Sequence, residues 1–182
     1  MTVTAAQARV ISAALDLFAQ HGVGGTSLQM IADALGVTKA AVYHQYKTKD
    51  EIVLAVADAE LALMEATIDD AEEEPSWEGA RERLLNNMIE LAVERRRAMA
   101  TILADPSLIR FAPKAKSFRR VMGRMNRLLL GSDPGPDAAV RTAMVIAAIS
   151  GAAVHPLVAE LDDDTLRAQL LPLAKRFLSD PV

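Results

Sequence analysis

Two apolar helical patterns near the N-terminus are separated by only three residues, and this tight turn constrains the fold more than any other feature of the sequence. The first pattern ends at Leu35, where Gly36 is the residue type that most readily adopts the left-handed conformation found at helix C-termini. After Val37, Thr38 carries the hydroxyl of a helix N-cap, and the next helix is expected to reach Tyr46. Two short helices joined in this way form a helix-turn-helix.

Other helix starts are predicted by threonines that have a glutamine or glutamate three residues later. In such a capping box the hydroxyl and the partner side chain satisfy free backbone N–H groups reciprocally. The sequence therefore predicts three helices before residue 50, the first ending at Gly22, and then a longer helix that reaches about Ala71. The pairs are Thr4 with Gln7, Thr26 with Gln29, and Thr48 with Glu51.

Helical patterns continue through the rest of the chain. Pro75 and Ser76 break the pattern, and the turn-forming stretch 131–137 separates a further helix from two final ones. Those two helices are expected at about 137–161 and 163–178. No strand-like alternation or internal repeat is evident, so the predicted fold class is all-α.

Composition excludes several classes of protein. The chain has 182 residues, 51% of them hydrophobic, and its net charge of -4 confines any nucleic-acid contact to a local patch. It has no cysteine, no secretory signal pattern and no apolar stretch long enough for a membrane, so a cytoplasmic protein without membrane contact is expected. His21, His44 and His155 show no catalytic or metal-binding spacing, so no enzyme activity, metal or cofactor is expected.

The predicted third helix and its flank carry only positive charges, on Lys39, Lys47 and Lys49. Lysines neutralise phosphates, and neighbouring hydroxyls bond phosphate oxygens without a full charge. Ala40 is small, so the backbone there can approach base edges while Lys39 or Gln45 reaches guanine or adenine. This pattern favours a DNA-binding surface; the alternative is that the lysines form an ordinary solvated surface.

Residues 9 to 54 carry a dense, position-specific pattern. It consists of Arg9-Val10-Ile11, Ala14-Leu15-Asp16-Leu17-Phe18, Gly22, Thr26-Ser27, Ile31-Ala32, the run from Leu35 to Tyr46, and Lys49. With this pattern the segment resembles the DNA-binding domain of the TetR family of one-component transcriptional regulators. The resemblance implies a three-helix helix-turn-helix domain at residues 1–50. A linker helix would join it to a helical regulatory and dimerisation domain at 51–182.

The resemblance also implies roles for individual residues. Hydroxyls at the start of the second helix would contact a phosphate, the first residues of the third helix would enter the major groove, and side chains further on would contact backbone or bases. Many relatives have histidine where Gln45 stands and phenylalanine where Tyr46 stands, although Gln45 keeps an amide able to pair with adenine. The DNA-binding residues expected on this basis are Thr26, Ser27, Thr38, Lys39, Ala40, Tyr43, His44, Gln45 and Lys49.

A ridge of small residues in the C-terminal region suggests self-association. Ala143, Ala147 and Gly151 lie four residues apart, which lets helices pack closely, and His155 follows on the same helical pattern. The resemblance places these residues in a homodimer interface, because TetR-family proteins pair through their last two long helices; the alternative is a contact within one chain. Pairing also suits DNA binding, since two recognition helices read half-sites about 34 to 36 Å apart.

A ligand cavity in the C-terminal domain is a further implication of the resemblance, since family members usually bind a small molecule between these helices. Apolar side chains with two asparagines as polar anchors would suit a lipophilic effector; ordinary core packing is the alternative. A basic row on Lys116, Arg120, Arg124 and Arg127 would either attract an anionic ligand or be solvated. The candidate ligand residues are Trp77, Asn87, Met88, Met99, Phe111, Phe118, Met122, Met125 and Asn126.

Together these patterns predict a sequence-specific DNA-binding transcriptional regulator. It is expected to repress by binding a palindromic double-stranded operator as a homodimer and to be released by a small lipophilic effector. The alternative is a ligand-independent DNA-binding or architectural protein controlled by a protein partner.

Overall fold

The computed structural model describes residues 3–96, 98, 100, 116–131 and 137–179, and every regular element in these ranges is helical, as predicted. Within the same ranges, no helix is long and apolar enough to cross a bilayer. Two predicted ligand residues, Met99 and Phe111, lie outside the described residues. The helices are α1 (Ala5–Gly25), α2 (Leu28–Leu35), α3 (Lys39–Gln45), α4 (Lys49–Glu72), α5 (Trp77–Glu94), α6 (Lys116–Leu130), α7 (Ala138–Val154) and α8 (Asp163–Ser179), with a 3-10 helix at Pro156–Val158.

Side-chain caps start α1 and α4 close to the predicted positions. The capping box at α1 is confirmed, because Gln7 N–H donates to Thr4 Oγ1 at 3.2 Å and Thr4 N–H donates to Gln7 Oε1 at 3.0 Å. At α4 only half of the predicted box forms. Glu51 N–H donates to Thr48 Oγ1 at 3.1 Å, but the Glu51 carboxylate accepts from the N–H of Lys47, at 2.7 Å, instead of that of Thr48.

The capping box predicted at the start of α2 is wrong by one residue. Ser27 is the N-cap, and its hydroxyl accepts from Met30 N–H at 3.2 Å. Gln29 instead donates to Asp33 one turn later, at 2.7 Å. Thr26 follows the last residue of α1, and its hydroxyl faces back into that helix.

Two glycines with positive φ shape the first two helices, although α1 does not end at Gly22 as predicted. Gly36 has φ +65° and ψ +33°, so it adopts the left-handed conformation predicted for the C-cap of α2. Gly22 has φ +70° and kinks α1, which then continues to Gly25. A side chain at either position would strain the backbone, which explains why glycine stands there.

The chain divides into two compact units within α4, at Glu60 and Leu61. In the first unit, apolar faces of α1, α2, α3 and the start of α4 enclose one core. Burial of these side chains stabilises the unit by about 1.5–3 kcal/mol for each large residue. The buried side chains are Val10, Ile11, Ala14, Phe18, Ile31, Ala32, Val42, Ile52, Val53 and Val56.

The second unit packs α5, α6, α7 and α8 with the later part of α4 around a separate core that includes Leu84, Met125 and Leu166. Charged pairs join its helices at the surface. On one side of α4, Arg83 of α5 binds Asp70 at 2.7 Å. Arg83 and the amide of Asn87 hold the pKa of the Asp70 carboxyl below its ordinary value.

On another side of α4, two members of the predicted basic row are already neutralised. Arg124 binds Asp69 and Glu72 at 2.6 Å each, and Arg120 binds Glu65 at 2.7 Å. Hydrogen bonds to Glu72 and Asp69 raise the pKa of Arg124 above its ordinary value. The row is therefore neither an anion site nor a simple solvated face at these two positions.

The penultimate helix is shorter than predicted. It ends at Val154, whereas the sequence pattern suggested 161. Pro156 lacks an N–H and disfavours helical backbone at His155, which has ψ +138° and accepts from Leu157 N–H at Nδ1 over 3.2 Å. His155 therefore caps a turn and does not continue the helix.

Candidate nucleic-acid interface

Helix α3 is held by one buried side chain, and all its other side chains except the half-buried Gln45 are exposed. Val42 is only 1% exposed and packs in the core of the first unit. Thr38 fixes the start of the helix, since its hydroxyl accepts from Ala41 N–H at 3.2 Å. Lys39 and Ala40 are exposed. The structure thus brings the predicted recognition residues together on an accessible face.

The exposed end of α3 carries an ordered aromatic and cationic pair. The ammonium of Lys47 lies 4.8 Å from the ring centroid of Tyr43, which is within cation–π distance. Tyr43 is 51% exposed, so its hydroxyl remains accessible. His44 is also exposed, and its Nδ1 lies 3.5 Å from the side-chain amide of the half-buried Gln45. These groups offer donors and acceptors suited to phosphates and base edges.

Lys49 lies inside the first unit's framework and not on this exposed face. Its ammonium donates to the carbonyl oxygens of Val23 at 2.7 Å, Thr26 at 3.1 Å and Gly24 at 3.4 Å. These carbonyls lie at the end of α1 and in the following connection, where helices leave backbone acceptors unpaired. Lys49 therefore ties the start of α4 to the end of α1, a role that its sequence pattern did not reveal.

Thr26 and Ser27 occupy different environments although the sequence grouped them. Thr26 is 2% exposed and donates its hydroxyl proton toward the carbonyl oxygens of Gly22 at 2.9 Å and Leu17 at 3.2 Å. Ser27 is exposed at the start of α2, with its hydroxyl accepting from Met30 N–H. Of the two, only Ser27 lies at the surface.

The small-residue ridge of α7 faces solvent. Ala143 and Ala147 are exposed, and a methyl group added at Gly151 would find no atom within 4 Å other than its chain neighbours and the backbone of its own helix. Larger apolar side chains share the exposed surface, and sequence reasoning missed them. They are Val140, Met144, Leu157 and, on α8, Leu173. For Met144 and Leu157 the available signal was the lack of any Asp, Glu, Lys or Arg between Arg141 and Glu160.

An apolar cleft of about 300 Å³ runs between α7 and α8. Its lining residues are Val145, Ala148, Ile149, Ala152, Leu170, Leu173 and Ala174. None of the predicted ligand residues belongs to it.

Most of the described candidate ligand residues are engaged within the second unit. Met88 and Met125 are fully packed in its core. Asn87 donates to Thr67 O at 3.2 Å and to Asp70 at 2.6 Å, while Asn126 accepts the Thr142 hydroxyl at 2.6 Å. The remaining three are less buried: Trp77, Phe118 and Met122.

The family match lies within the first unit. Residues 10–56 match the family described as "Bacterial regulatory proteins, tetR family". The curated protein "HTH-type transcriptional regulator RutR" of Escherichia coli strain K12 is 39% identical over 54 residues, which are 30% of this chain and 26% of RutR. The chain therefore matches about a quarter of that relative's length.

Solved structures resemble the fold over nearly the whole chain. The fatty acid degradation regulator FadR from Bacillus halodurans has a TM-score of 0.78 at 14% identity, covering 98% of this chain and 97% of FadR. The ketosteroid transcriptional regulator KstR2 of Mycobacterium tuberculosis has a TM-score of 0.70 at 16% identity, covering 95% and 94%. Both of these proteins are regulators.

Replacing Lys49 should destabilise the protein. We expect Lys49→Met to lower the free energy of unfolding by about 1 to 2 kcal/mol, because three carbonyl oxygens lose a charged donor. Thermal and urea unfolding measure the change. Lys39→Met is the matched control, since Lys39 is exposed on α3, and it should leave stability nearly unchanged. Equal stability of the two variants would show that the Lys49 contacts contribute nothing.

Proposed function

We propose that this chain, whose residues 10–56 match the tetR family of bacterial regulatory proteins, is a sequence-specific DNA-binding transcriptional regulator of that family. In this proposal it represses transcription by binding a palindromic operator as a homodimer, and a small lipophilic molecule releases it. The exposed surface of α3 over the buried Val42 is the observation that carries the DNA-binding part.

The contacts of α3 divide into two kinds. Lys39 and Ala40, at the exposed N-terminal end of the helix, would enter the major groove, where a lysine pairs with guanine. Tyr43 and Lys47 are ordered against each other on the outer surface and would contact phosphates, which position the protein without reading sequence. Gln45 and His44 would supply additional hydrogen bonds at the end of the helix.

Two residues implied by the resemblance would act indirectly in this proposal. The Lys49 ammonium already binds three carbonyl oxygens, and the Thr26 hydroxyl donates inward. Both hold the end of α1 and the connection that follows it, and so they would support the placement of Ser27. Ser27 and Thr38 are exposed, and their hydroxyls would contact phosphates directly.

Homodimerisation is supported by the apolar surface of α7 and α8. Leu157 is 87% exposed, and Val140 is 62% exposed. The small residues Ala143, Ala147 and Gly151 would allow the same helix of a second chain to approach closely. Isologous pairing of this kind places the same patch on both subunits, and it would also cover the cleft between α7 and α8. The exposed His155 lies at the end of this surface.

A lipophilic effector is supported by two observations. Solved structures of similar fold include the fatty acid degradation regulator FadR and the ketosteroid transcriptional regulator KstR2. In this chain, Phe118 and Met122 are half-buried on α6, and methionine side chains adapt readily to different apolar ligands. The effector would lie against these side chains in the second unit.

DNA affinity and sequence preference should respond separately to substitutions on α3. We expect Tyr43→Ala to weaken binding to operator and unrelated DNA alike, and Lys47→Ala to reduce the slope of log K against log salt by about 0.9. Lys39→Ala and Gln45→Ala should also change which bases are preferred. Titrations against DNA selected from genomic fragments, at several fixed salt concentrations, measure these effects.

Lys49→Met provides the internal control for that experiment. This variant should weaken binding through loss of stability. It should leave the salt slope unchanged, because the Lys49 ammonium binds backbone carbonyl oxygens and would not contact DNA phosphates. Unchanged DNA affinity in Tyr43→Ala, Lys39→Ala and Gln45→Ala together would refute the assignment of α3 as the recognition helix.

A charge in the small-residue ridge should separate the subunits. We expect Ala147→Glu to raise the dimer dissociation constant by about a hundredfold or more, because two like charges would be desolvated at the two-fold axis. Sedimentation velocity measures the change. Ala62→Glu introduces the same side chain at an exposed alanine of α4 and should leave the dimer intact. If Ala147→Glu remains as dimeric as Ala62→Glu, the interface lies elsewhere.

Lipophilic molecules should stabilise the protein and release it from DNA. At about 100 times its dissociation constant, a bound fatty acid or steroid would add roughly 2.7 kcal/mol of stability. Thermal unfolding in the presence of a panel of both classes, followed by DNA release assays, measures this. Met122→Trp should reduce the response by filling space beside α6. A panel without any stabilising member would favour control by a protein partner instead.

A further inference from the structure

Arg81 differs from Arg83, Arg124 and Arg167 of the second unit in having no acidic partner among the residues that the structure describes. Arg83, Arg124 and Arg167 each bind a carboxylate at 2.7 Å or less. Among the residues that the structure describes, no hydrogen bond or ion pair to Arg81 is found, and its Nε–H is buried without an acceptor. A buried donor without a partner is costly and uncommon in native proteins.

The Arg81 guanidinium lies on a fixed aromatic platform. Its central carbon is 5.4 Å from the centroid of the Trp77 ring. The indole is held in turn, because its Nε1–H donates to the carbonyl oxygen of Arg127 over 3.4 Å and Gly131 packs against the ring. Trp77 is nevertheless 41% exposed, so one part of the platform remains open to a ligand.

The local electrostatics favour a negative ligand. Burial lowers the pKa of Arg81, and the positive charge of Arg141 lowers it further. By contrast, hydrogen bonding to Asp70 raises the pKa of the neighbouring Arg83. The carboxylate of Asp137 lies 3.8 Å from Arg141 and partly offsets that charge. Arg81 itself is left with a nearby like charge and no described acidic contact.

We propose that Arg81, Arg141 and the face of Trp77 form an oxyanion-binding site at the meeting point of α5, α6 and α7. The ligand is a carboxylate or phosphate group. Its oxygens would accept hydrogen bonds from the buried Nε–H of Arg81 and from a second N–H of the same planar guanidinium. A flat apolar portion of the same ligand would contact the exposed part of the indole. The inference does not depend on DNA binding.

Trp77 is the only tryptophan of the chain, so it reports on this site directly. The full-length protein is titrated with benzoate, with inorganic phosphate and with the neutral isostere benzamide, at constant ionic strength set with sodium chloride. We expect a saturable change of tryptophan fluorescence with benzoate, phosphate or both, and none with benzamide. The responding anion identifies the ligand as a carboxylate or a phosphate.

Substitutions then locate the binding. Arg81→Met should raise the dissociation constant by about ten- to hundredfold, because a charge-assisted hydrogen bond is lost. Arg81→Lys keeps the charge but not the fork and should bind with intermediate affinity. Arg83→Met is the matched control, since Arg83 is paired with Asp70 on the same helix, and it should bind like the parent protein. Calorimetry provides a dissociation constant that does not depend on the indole's own response.

Several outcomes would overturn the proposal. They are the absence of saturation with both anions up to tens of millimolar, an equal response to benzamide, or equal affinity of Arg81→Met and Arg83→Met. If Arg81→Met fails to fold, Arg141→Gln replaces it. That variant should weaken anion binding several-fold, and unchanged affinity would count equally against the site.

Discussion

The burial of Val42 is the contact on which the candidate DNA-binding surface depends. Helix α3 has only seven residues, and an isolated helix of that length is not stable in water. It forms because Thr38 caps its start and because Val42 anchors it against the core that α1, α2 and α4 share. With its single large apolar side chain used in this way, the helix can present nearly all its polar groups outward.

The features that sequence reasoning predicted correctly are local ones. The Thr4 capping box, the left-handed Gly36 and the Thr38 cap each depend on residues within four positions of one another. The end of α7 at Val154 was predicted wrongly. Pro156 is a local signal for that end, but the apolar pattern continues past it and suggested a longer helix.

What could not be predicted depends on contacts between residues far apart in the chain. Lys49 looked like one of three surface lysines, yet its ammonium binds carbonyl oxygens 23 to 26 positions earlier. Arg120 and Arg124 formed a basic row in sequence, whereas acidic residues of α4 neutralise them in the fold. A periodic pattern shows which residues share a helix face, but not which groups that face meets.

The uncharged surface of α7 has a consequence for how such a protein would respond to its own abundance. If two chains must pair along this surface before both half-sites of an operator are contacted, each DNA-bound complex contains two copies of the same chain. When free subunits predominate, occupancy then rises with the square of their concentration. Modest changes in synthesis or degradation would therefore be converted into a steeper change in transcription.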